Sequence, residues 1–447
     1  SLRQKLDERA EREFVYIKRH LNPDDAAAIL ALGIPGVASQ REFRRYYPNG
    51  EVVAHALGFT NIDDRGQEGL ELAFDDWLAG KPGVKRVIRD LRGQVVENVE
   101  LVRAAQPGRD LALSIDRRIQ YLAYRELKRQ LLESGASSGS AVVLDVATGE
   151  VLAMVNLPTF NPNSVGTSPR DAHRNRAVTD LLEPGSTMKP LTVAAGLEAG
   201  VITPTSMFNT SPGWIANGRY RTNDTHNYGV LDTTGVIRKS SNVGAAMIAK
   251  RLGDRQFYEF MRRFGYGHST GSGFPGEAAG TLAAPDRWDG TSKQTMSYGY
   301  GLNATPMQIA TAYAALGNGG VLHQPSFVKG QPGKSQRVLD ASIANDVLHM
   351  MQTVTEPGGT ATQAAILGYH VAGKTGTSRK ASAGGYSRRY IGYFAGLVPV
   401  ENPRFSMVVA INDPTKGSYY GGIVAGPVFR NTMEGALRMM DVSPDNL

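Results

Sequence analysis

Between residues 110 and 160 the pattern of apolar and polar positions changes period. "RRIQYLAYRELKRQLLES" carries its apolar residues at helical spacing and predicts an amphipathic helix. "SAVVLDVATGEVLAMVN" instead has two β-prone runs on either side of the turn "DVATGE", which predicts a hairpin. The short run "LALSID" ahead of the helix reads as a strand. Near the C-terminus "YHVAGKTGTS", "YIGYFAGLVPV" and "RFSMVVAIND" predict three more strands joined by polar turns, and "GPVFRNTMEGALRMM" closes as a helix. The stretch from roughly 180 to 320 reads as mostly helical with Gly/Pro-rich loops. A hairpin and three late strands, parted by a helical insert, predict one antiparallel sheet assembled from both ends.

Residues 1–109 differ. They mix short helices with strand-like runs such as "VKRVIRDLRGQVVENVELV", where Gly93 in "RDLRGQ" marks a hairpin turn. "QPGRD" at 106–110 is expected to be a linker, since Pro-Gly punctuation follows a strand. The division is therefore 1–109, a mixed N-terminal domain, and 110–447, an α+β domain with helices on both sides of its sheet. No internal repeat or low-complexity tract interrupts either part.

At 447 residues the chain fits two or three domains at about 150 residues each. It has no cysteine, which excludes disulfides and thiolate metal sites. Its net charge of +7 suits anionic surroundings such as nucleic acid, lipid headgroups or an acidic wall polymer, but an ordinary excess of Lys and Arg suits it equally well. No apolar run reaches the ~20 residues that cross a bilayer. The start, "SLRQKLDERAEREFVYIKRHL", is charged and helical in period and is not a signal peptide. Lacking an initiator methionine, the chain is expected to be a trimmed form of something longer.

Chemistry enters at "EPGSTMKP". Proline inside a helix removes the bond to residue i−4 and clashes with its carbonyl, at a cost of ~3 kcal/mol. For Pro190 that residue is Ser186, so the helix must begin close to Ser186, with "EPG" as the turn that starts it and Gly200 as its end. Ser186 then sits at a helix N-terminus, where free N–H groups favour developing negative charge. Lys189, three residues on, shares its face and can take the hydroxyl proton if burial or a nearby cation lowers its pKa. Ser-x-x-Lys alone is a weak signal, and a second copy at Ser326/Lys329 fails because that segment reads as extended. Two further motifs strengthen it. Ser240-Ser241-Asn242 opens a predicted helix, and Lys374-Thr375-Gly376-Thr377 lies on a predicted strand. Singly these are a helix cap and a polar edge strand. Together and in this order they point to one site.

With the set S-x-x-K, S-x-N and K-T-G the chain resembles the penicillin-recognising serine enzymes. "AHALGFTNIDDRGQEGLELAFDDWLAGKPG", "EPGSTMKP", "KSSNVG", "GFPGE", "YGYGLNATPMQIA" and "AGKTGTSRK" extend that likeness to class B penicillin-binding proteins, and within them to the division-specific septal D,D-transpeptidases. The resemblance implies the serine transpeptidase fold on an N-terminal, membrane-proximal pedestal. It implies a peptidoglycan transpeptidase that crosslinks stem peptides through an acyl-enzyme and is blocked by β-lactams bound covalently at Ser186. By motif, Ser186 would be the nucleophile, Lys189 its base and Ser240 the proton relay. Asn242 would hold the donor amide, while Lys374, Thr375, Gly376 and Thr377 would bind the terminal carboxylate. The backbone N–H groups of Ser186 and Thr377 would form the oxyanion hole, and Lys189 and Lys374 would depress each other's pKa. Tyr298, Tyr300, Arg379, Tyr419 and Tyr420 are implied pocket walls, although packing explains such aromatics equally well. Neither cofactor nor metal nor nucleic acid is implied. Partners would be a membrane glycan polymerase and other division proteins, reached through the pedestal and an inner-membrane anchor absent here, with the catalytic domain in the periplasm.

Rival readings fare worse. A class A β-lactamase needs a separate deacylating glutamate, and Glu183 merely precedes the serine. G-x-S-x-G occurs as "GASSG" and "GHSTG", neither in a strand–turn–helix setting. "NIDDRGQEGLEL" puts Arg65 and Leu72 where a calcium loop needs acids. The eight histidines show no H-x-x-x-H spacing. A non-enzymatic alternative stays open: a division scaffold or β-lactam sensor that keeps the motifs.

Overall fold

The computed structural model describes residues 2–90, 95–218, 220–382 and 385–446. The N-terminal part contains short helices, among them Pro23–Leu30 and Gly69–Ala73, and an antiparallel hairpin of β1 (Val84–Arg89) and β2 (Val95–Arg103). The expected hairpin turn around Gly93 lies outside the described residues. "QPGRD" is not a free linker. Gln106 exchanges both backbone hydrogen bonds with Lys81, at 2.8 and 2.9 Å, and Asp110 O accepts the Trp77 indole N–H at 3.1 Å. "LALSID" forms no regular strand: Leu113 makes a single bridge to Val328. Asp116 ends the extended run by capping α1 (Arg117–Ser134), its carboxylate accepting the N–H of Arg118 at 2.8 Å. Gly135, in the left-handed region at φ 61°, closes that helix.

The main sheet has five strands: β3 (Ser138–Asp145), β4 (Val151–Leu157), β5 (Ala372–Ser382), β6 (Gly385–Val398) and β7 (Phe405–Asn412). Their order is β5-β6-β7-β3-β4, antiparallel throughout, so the sheet is assembled from both ends of the domain. The helices around it are α1, α2 (Lys189–Glu198), α3 (Asn242–Arg251), α4 (Pro306–Gly317), α5 (Ala341–Gln352) and α6 (Gly426–Met439). Helices α1 and α6 pack together on one face, and α4 lies against β3, β6 and β7 on the other. Every residue of β3 and β4 is buried for that reason, and both strands carry a continuous apolar stretch, Ala141–Leu144 and Val151–Val155.

The two sheet edges are treated differently. Along β4, the buried amide of Gln120 on α1 acts as a surrogate strand. Its Oε1 accepts Met154 N–H at 2.8 Å, and its Nε2 donates to Met154 O at 2.9 Å and to Val52 O at 2.8 Å. Ser114 and Asp116 cap the same edge at Val151 O and Leu152 O. The opposite edge, β5, carries the Lys-Thr-Gly-Thr motif and faces the helical insert. That insert is less uniformly helical than its sequence suggests. Two small antiparallel strand pairs, Met207–Asn209 with Val230–Asp232 and, nested between them, the hairpin Trp214–Asn217 with Tyr220–Asn223, occupy its polar, turn-rich stretch.

Gln120→Ala leaves the backbone groups of Met154 and Val52 without their partner. The expected loss is about 1–3 kcal/mol, read as a melting temperature lower by a few degrees in thermal denaturation.

Candidate active site

Gly185, at φ 55°, turns the chain into a 3₁₀ turn, Gly185–Met188, and α2 follows from Lys189. The 3₁₀ turn resolves the problem of Pro190. The Ser186 carbonyl accepts the N–H of Lys189, three residues on, so it needs no bond from residue 190. The turn is held from several sides. Tyr313 on α4 donates its hydroxyl to Thr187 O at 2.8 Å, and Gly185 N–H donates to Gly299 O at 3.1 Å. Gly301 N–H donates to Glu183 Oε1 at 3.0 Å, so Glu183 serves the backbone.

Lys189 is fully buried, and its Nζ lies 2.9 Å from Ser186 Oγ, 2.6 Å from Ser240 O, 2.7 Å from Asn242 Oδ1 and 3.1 Å from Ser240 Oγ. The Ser240 carbonyl and the Asn242 amide oxygen can only accept. A neutral amine has two N–H bonds for them and one lone pair left, which is aimed at a hydroxyl. Asn242 is oriented by donating Nδ2–H to Asn223 O at 2.9 Å. Burial brings the Lys189 pKa down to about 7, and the carboxylate of Asp224 pulls the other way.

Ser240 and Ser241 divide their labour. Ser241 is the N-cap of α3, accepting Gly244 N–H at 2.9 Å. Ser240 stands outside the helix in the left-handed region, φ 59°, and its Oγ lies between the two lysines, 3.1 Å from Lys189 Nζ and 2.9 Å from Lys374 Nζ. Lys374, also fully buried, donates in addition to Thr375 O at 3.1 Å. Its pKa is pushed well below the ordinary lysine value by burial first and by Lys189 second. The mutual depression expected from sequence thus acts on Lys374 alone, and there second to desolvation; the Lys189 shift comes from burial, opposed by Asp224.

On β5 the remaining motif residues alternate. Gly376 lies under the Ser186 turn: a Cβ there would meet Pro184 O at 3.1 Å and Thr187 Cγ2 at 3.2 Å. Thr375 Oγ1 pairs with Thr360 Oγ1 at 2.9 Å, and Thr377 Oγ1 accepts Gly421 N–H at 3.2 Å. The Tyr300 hydroxyl lies 3.5 Å from Thr377 O. Tyr298 packs edge-on to Tyr300, ring centroids 6.0 Å apart, with its hydroxyl 3.2 Å from Thr222 Oγ1. Arg379, exposed, reaches over Tyr390, which stacks on Tyr419 at 4.0 Å; Tyr420 follows at 4.7 Å.

Residues 139–434 match the family described as penicillin binding protein transpeptidase domain, and residues 1–113 match the penicillin-binding protein dimerisation domain. The chain belongs to the class B penicillin-binding proteins. It is 46% identical over 436 residues to peptidoglycan D,D-transpeptidase FtsI of Escherichia coli K12, covering 97% of this chain and 74% of that protein. To the probable peptidoglycan D,D-transpeptidase PenA of Neisseria gonorrhoeae it is 43% identical over 447 residues, 99% of this chain and 76% of that one. The apo TP domain of Burkholderia pseudomallei penicillin-binding protein 3 superposes with a TM-score of 0.69 at 38% identity, covering 76% of this chain and 99% of the other.

Three participants in this penicillin-binding protein escaped the sequence reading: Asp224, Tyr390 and Thr360. Tyr390 sits on β6 opposite Arg379, a register visible only once the strands are paired. Asp224 lies in the polar run "TNDTHN", where an aspartate reads as turn chemistry.

Two outcomes follow for acylation by a fluorescent penicillin. If Lys189 is the base for Ser186, only its neutral amine can take the proton, and the second-order rate should rise with pH along a limb centred near the Lys189 value of about 7. Gly299, at φ 89°, leaves no room for a side chain: a Cβ would lie 2.0 Å from Gly185 O. Gly299→Ala should displace the nucleophile turn and slow acylation by ~10²-fold, measured at saturating pH.

Proposed function

We propose that this penicillin-binding protein serves septal wall synthesis as a peptidoglycan D,D-transpeptidase; its FtsI and PenA relatives carry the D,D-transpeptidase name. The observation that carries this is the Lys189 amine, which touches Ser186, Ser240 and Asn242 at once while Ser240 also touches Lys374. Lys189 takes the proton of Ser186 Oγ as that oxygen attacks the carbonyl of a D-Ala-D-Ala peptide bond. The C–N bond breaks as Ser240 gives its proton to the departing D-Ala amine and takes one from the Lys189 ammonium, which becomes a free amine again. An amine from a second stem peptide then attacks the ester, losing a proton to Lys189, and Lys189 returns that proton to Ser186 Oγ as the C–O bond breaks.

The supporting geometry extends to the oxyanion. Thr377 O faces Tyr300, away from β6, and in an antiparallel strand the N–H of a residue points the same way as its C=O. The N–H groups of Thr377 and Ser186 form the oxyanion hole in this reading, where losing one donor costs about 10²–10³ in rate. Asn242 holds the donor amide, and Thr375, Thr377 and Lys374 receive the terminal carboxylate across Gly376. Tyr298, Tyr300, Arg379, Tyr419 and Tyr420 line the path of the donor. β-Lactams enter as donor mimics and acylate Ser186 in this reading; Glu183, just before the serine, accepts Gly301 N–H. In the same reading residues 1–109 form the pedestal and 110–447 the catalytic domain. The pedestal and an inner-membrane anchor engage a glycan polymerase and other division proteins in the periplasm. Among the described residues no helix is long and apolar enough to cross a membrane.

The test uses purified protein with a penicillin and, separately, a thioester stem-peptide donor plus an amine acceptor. Mass spectrometry should place the adduct on Ser186, Ser186→Ala should abolish it, and the donor should pass to the amine. An adduct elsewhere contradicts the site. Acylation without transfer favours the sensor alternative.

A further inference from the structure

We infer that Arg238 and Lys239 form an acceptor subsite, which binds a free carboxylate on the stem peptide that resolves the acyl-enzyme. The inference rests on the transpeptidase reading proposed above. The two residues close the short helix Thr233–Arg238 and lead directly into Ser240. Arg238 Nη2 donates to Pro357 O at 2.6 Å, and Lys239 Nζ donates to Gly358 O at 3.0 Å. A Cβ on Gly358 would lie 3.1 Å from Arg238 Nη2 and 3.9 Å from Lys239 Nζ, so the two cations are near neighbours.

Their charge has no counterpart nearby. Among the described residues no carboxylate lies within ion-pair distance of either cation, and Glu356 in the facing loop accepts Gln352 Nε2–H at 3.0 Å instead. The end of their own helix offsets only about half an elementary charge. Arg238 Nε is buried and meets no acceptor among the described residues. Pro357 O and Gly358 O need a hydrogen-bond donor, which a neutral side chain would supply equally well. Nor does the loop depend on the two cations for its shape. Gly359 N–H donates to Glu356 O at 2.9 Å and Ala361 N–H to Val354 O at 3.0 Å, and a Cβ on Gly422 would meet Thr360 O at 2.3 Å. Two like charges held side by side repel, and an anion bound between them relieves that cost.

The position selects the anion. Two residues beyond Gly358, Thr360 Oγ1 pairs with Thr375 Oγ1 at 2.9 Å, and Thr375 is on the strand that receives the donor's terminal carboxylate in the reading above. Arg238 and Lys239 therefore stand beyond the donor's leaving residue, across the 357–360 loop from Thr375. Once D-Ala has left, the incoming amine attacks the ester from the place the D-Ala amine vacated. The rest of the acceptor then extends on the leaving-group side, toward these two cations. A stem peptide that has not yet served as donor still carries its own terminal carboxylate. A planar guanidinium fork beside an ammonium suits that group.

The experiment uses the thioester stem-peptide donor with two acceptors: a stem pentapeptide with its side-chain amine free and its C-terminus either free or amidated. Wild type, Arg238→Gln, Lys239→Gln and the double variant are compared, each checked by thermal melting. Glutamine keeps a donor for the loop carbonyl and removes the charge. Acylation by a fluorescent penicillin involves no acceptor and should stay within about twofold in every variant. In wild type the apparent KM for the amidated acceptor should exceed that for the free one by about 5–20-fold. Each single variant should raise KM for the free acceptor by about 3–10-fold, and the double variant should erase the preference, with the amidated acceptor unaffected. Equal KM values for the two acceptors in wild type overturn the inference. So does a KM change in the variants that is the same for both acceptors, or a fall in acylation that matches it. If a variant fails to fold, the wild-type comparison of the two acceptors decides. Wild-type protein that takes penicillin on Ser186 yet passes the donor to neither acceptor would defeat the transpeptidase reading itself.

Discussion

A lysine amine sealed from water, with no carboxylate within ion-pair distance among the described residues, is the constraint on which the site depends. An ammonium in that position loses its hydration and gains only neutral acceptors, so burial favours the free amine. The surrounding atoms fit that state. Two acceptors that cannot donate take the N–H bonds of Lys189, and the lone pair is left for Ser186. Lys374, buried one serine away, adds a second reason for the pair not to hold two charges.

Holding this arrangement needs three separate stretches of chain to meet with little tolerance. The nucleophile turn rests on β5 at Gly376, where a methyl group would press on Pro184 O and Thr187, and Gly299 crosses it from the other side. Helix α4 supports the same turn through Tyr313 and reaches the sheet through its carbonyl Ala310 O, which accepts the Ser406 hydroxyl. The sheet thus has a closed edge and a working edge. At β4 the Gln120 amide satisfies the backbone. At β5 the motif face is turned toward the helical insert, where an extended peptide can lie alongside it.

The legible part of this protein was the part in which residue type is dictated by chemistry or by period. Ser186, Lys189, Asn242 and Lys374 supply groups that few other side chains replace, at spacings that survive into the fold. The five-strand sheet was visible because its strands are β-prone runs bounded by turns, apolar in β7 and most of β3, β4 and β6 and polar only at the β5 edge. Tertiary contacts decided the rest. "LALSID" has strand composition, yet the Gln120 amide takes the Met154 backbone groups at the closed edge, the segment meets that edge only through Ser114 Oγ and Asp116 N–H, and Asp116 diverts the chain into α1. "QPGRD" carries linker punctuation but is strapped to Lys81. Asp224 gains its role from a short hairpin whose strands are too brief and too polar to stand out in a stretch read as helical.

The protonation state of Lys189 can be observed directly. Protein labelled with ¹³C at the lysine ε-carbon, with Lys189→Arg used to assign the resonance, gives a titration curve for that amine alone. A midpoint close to 7 is the result this account predicts. An amine that keeps its proton to the ordinary lysine value of about 10.4 would contradict it, because Ser186 would then have no base beside it at neutral pH.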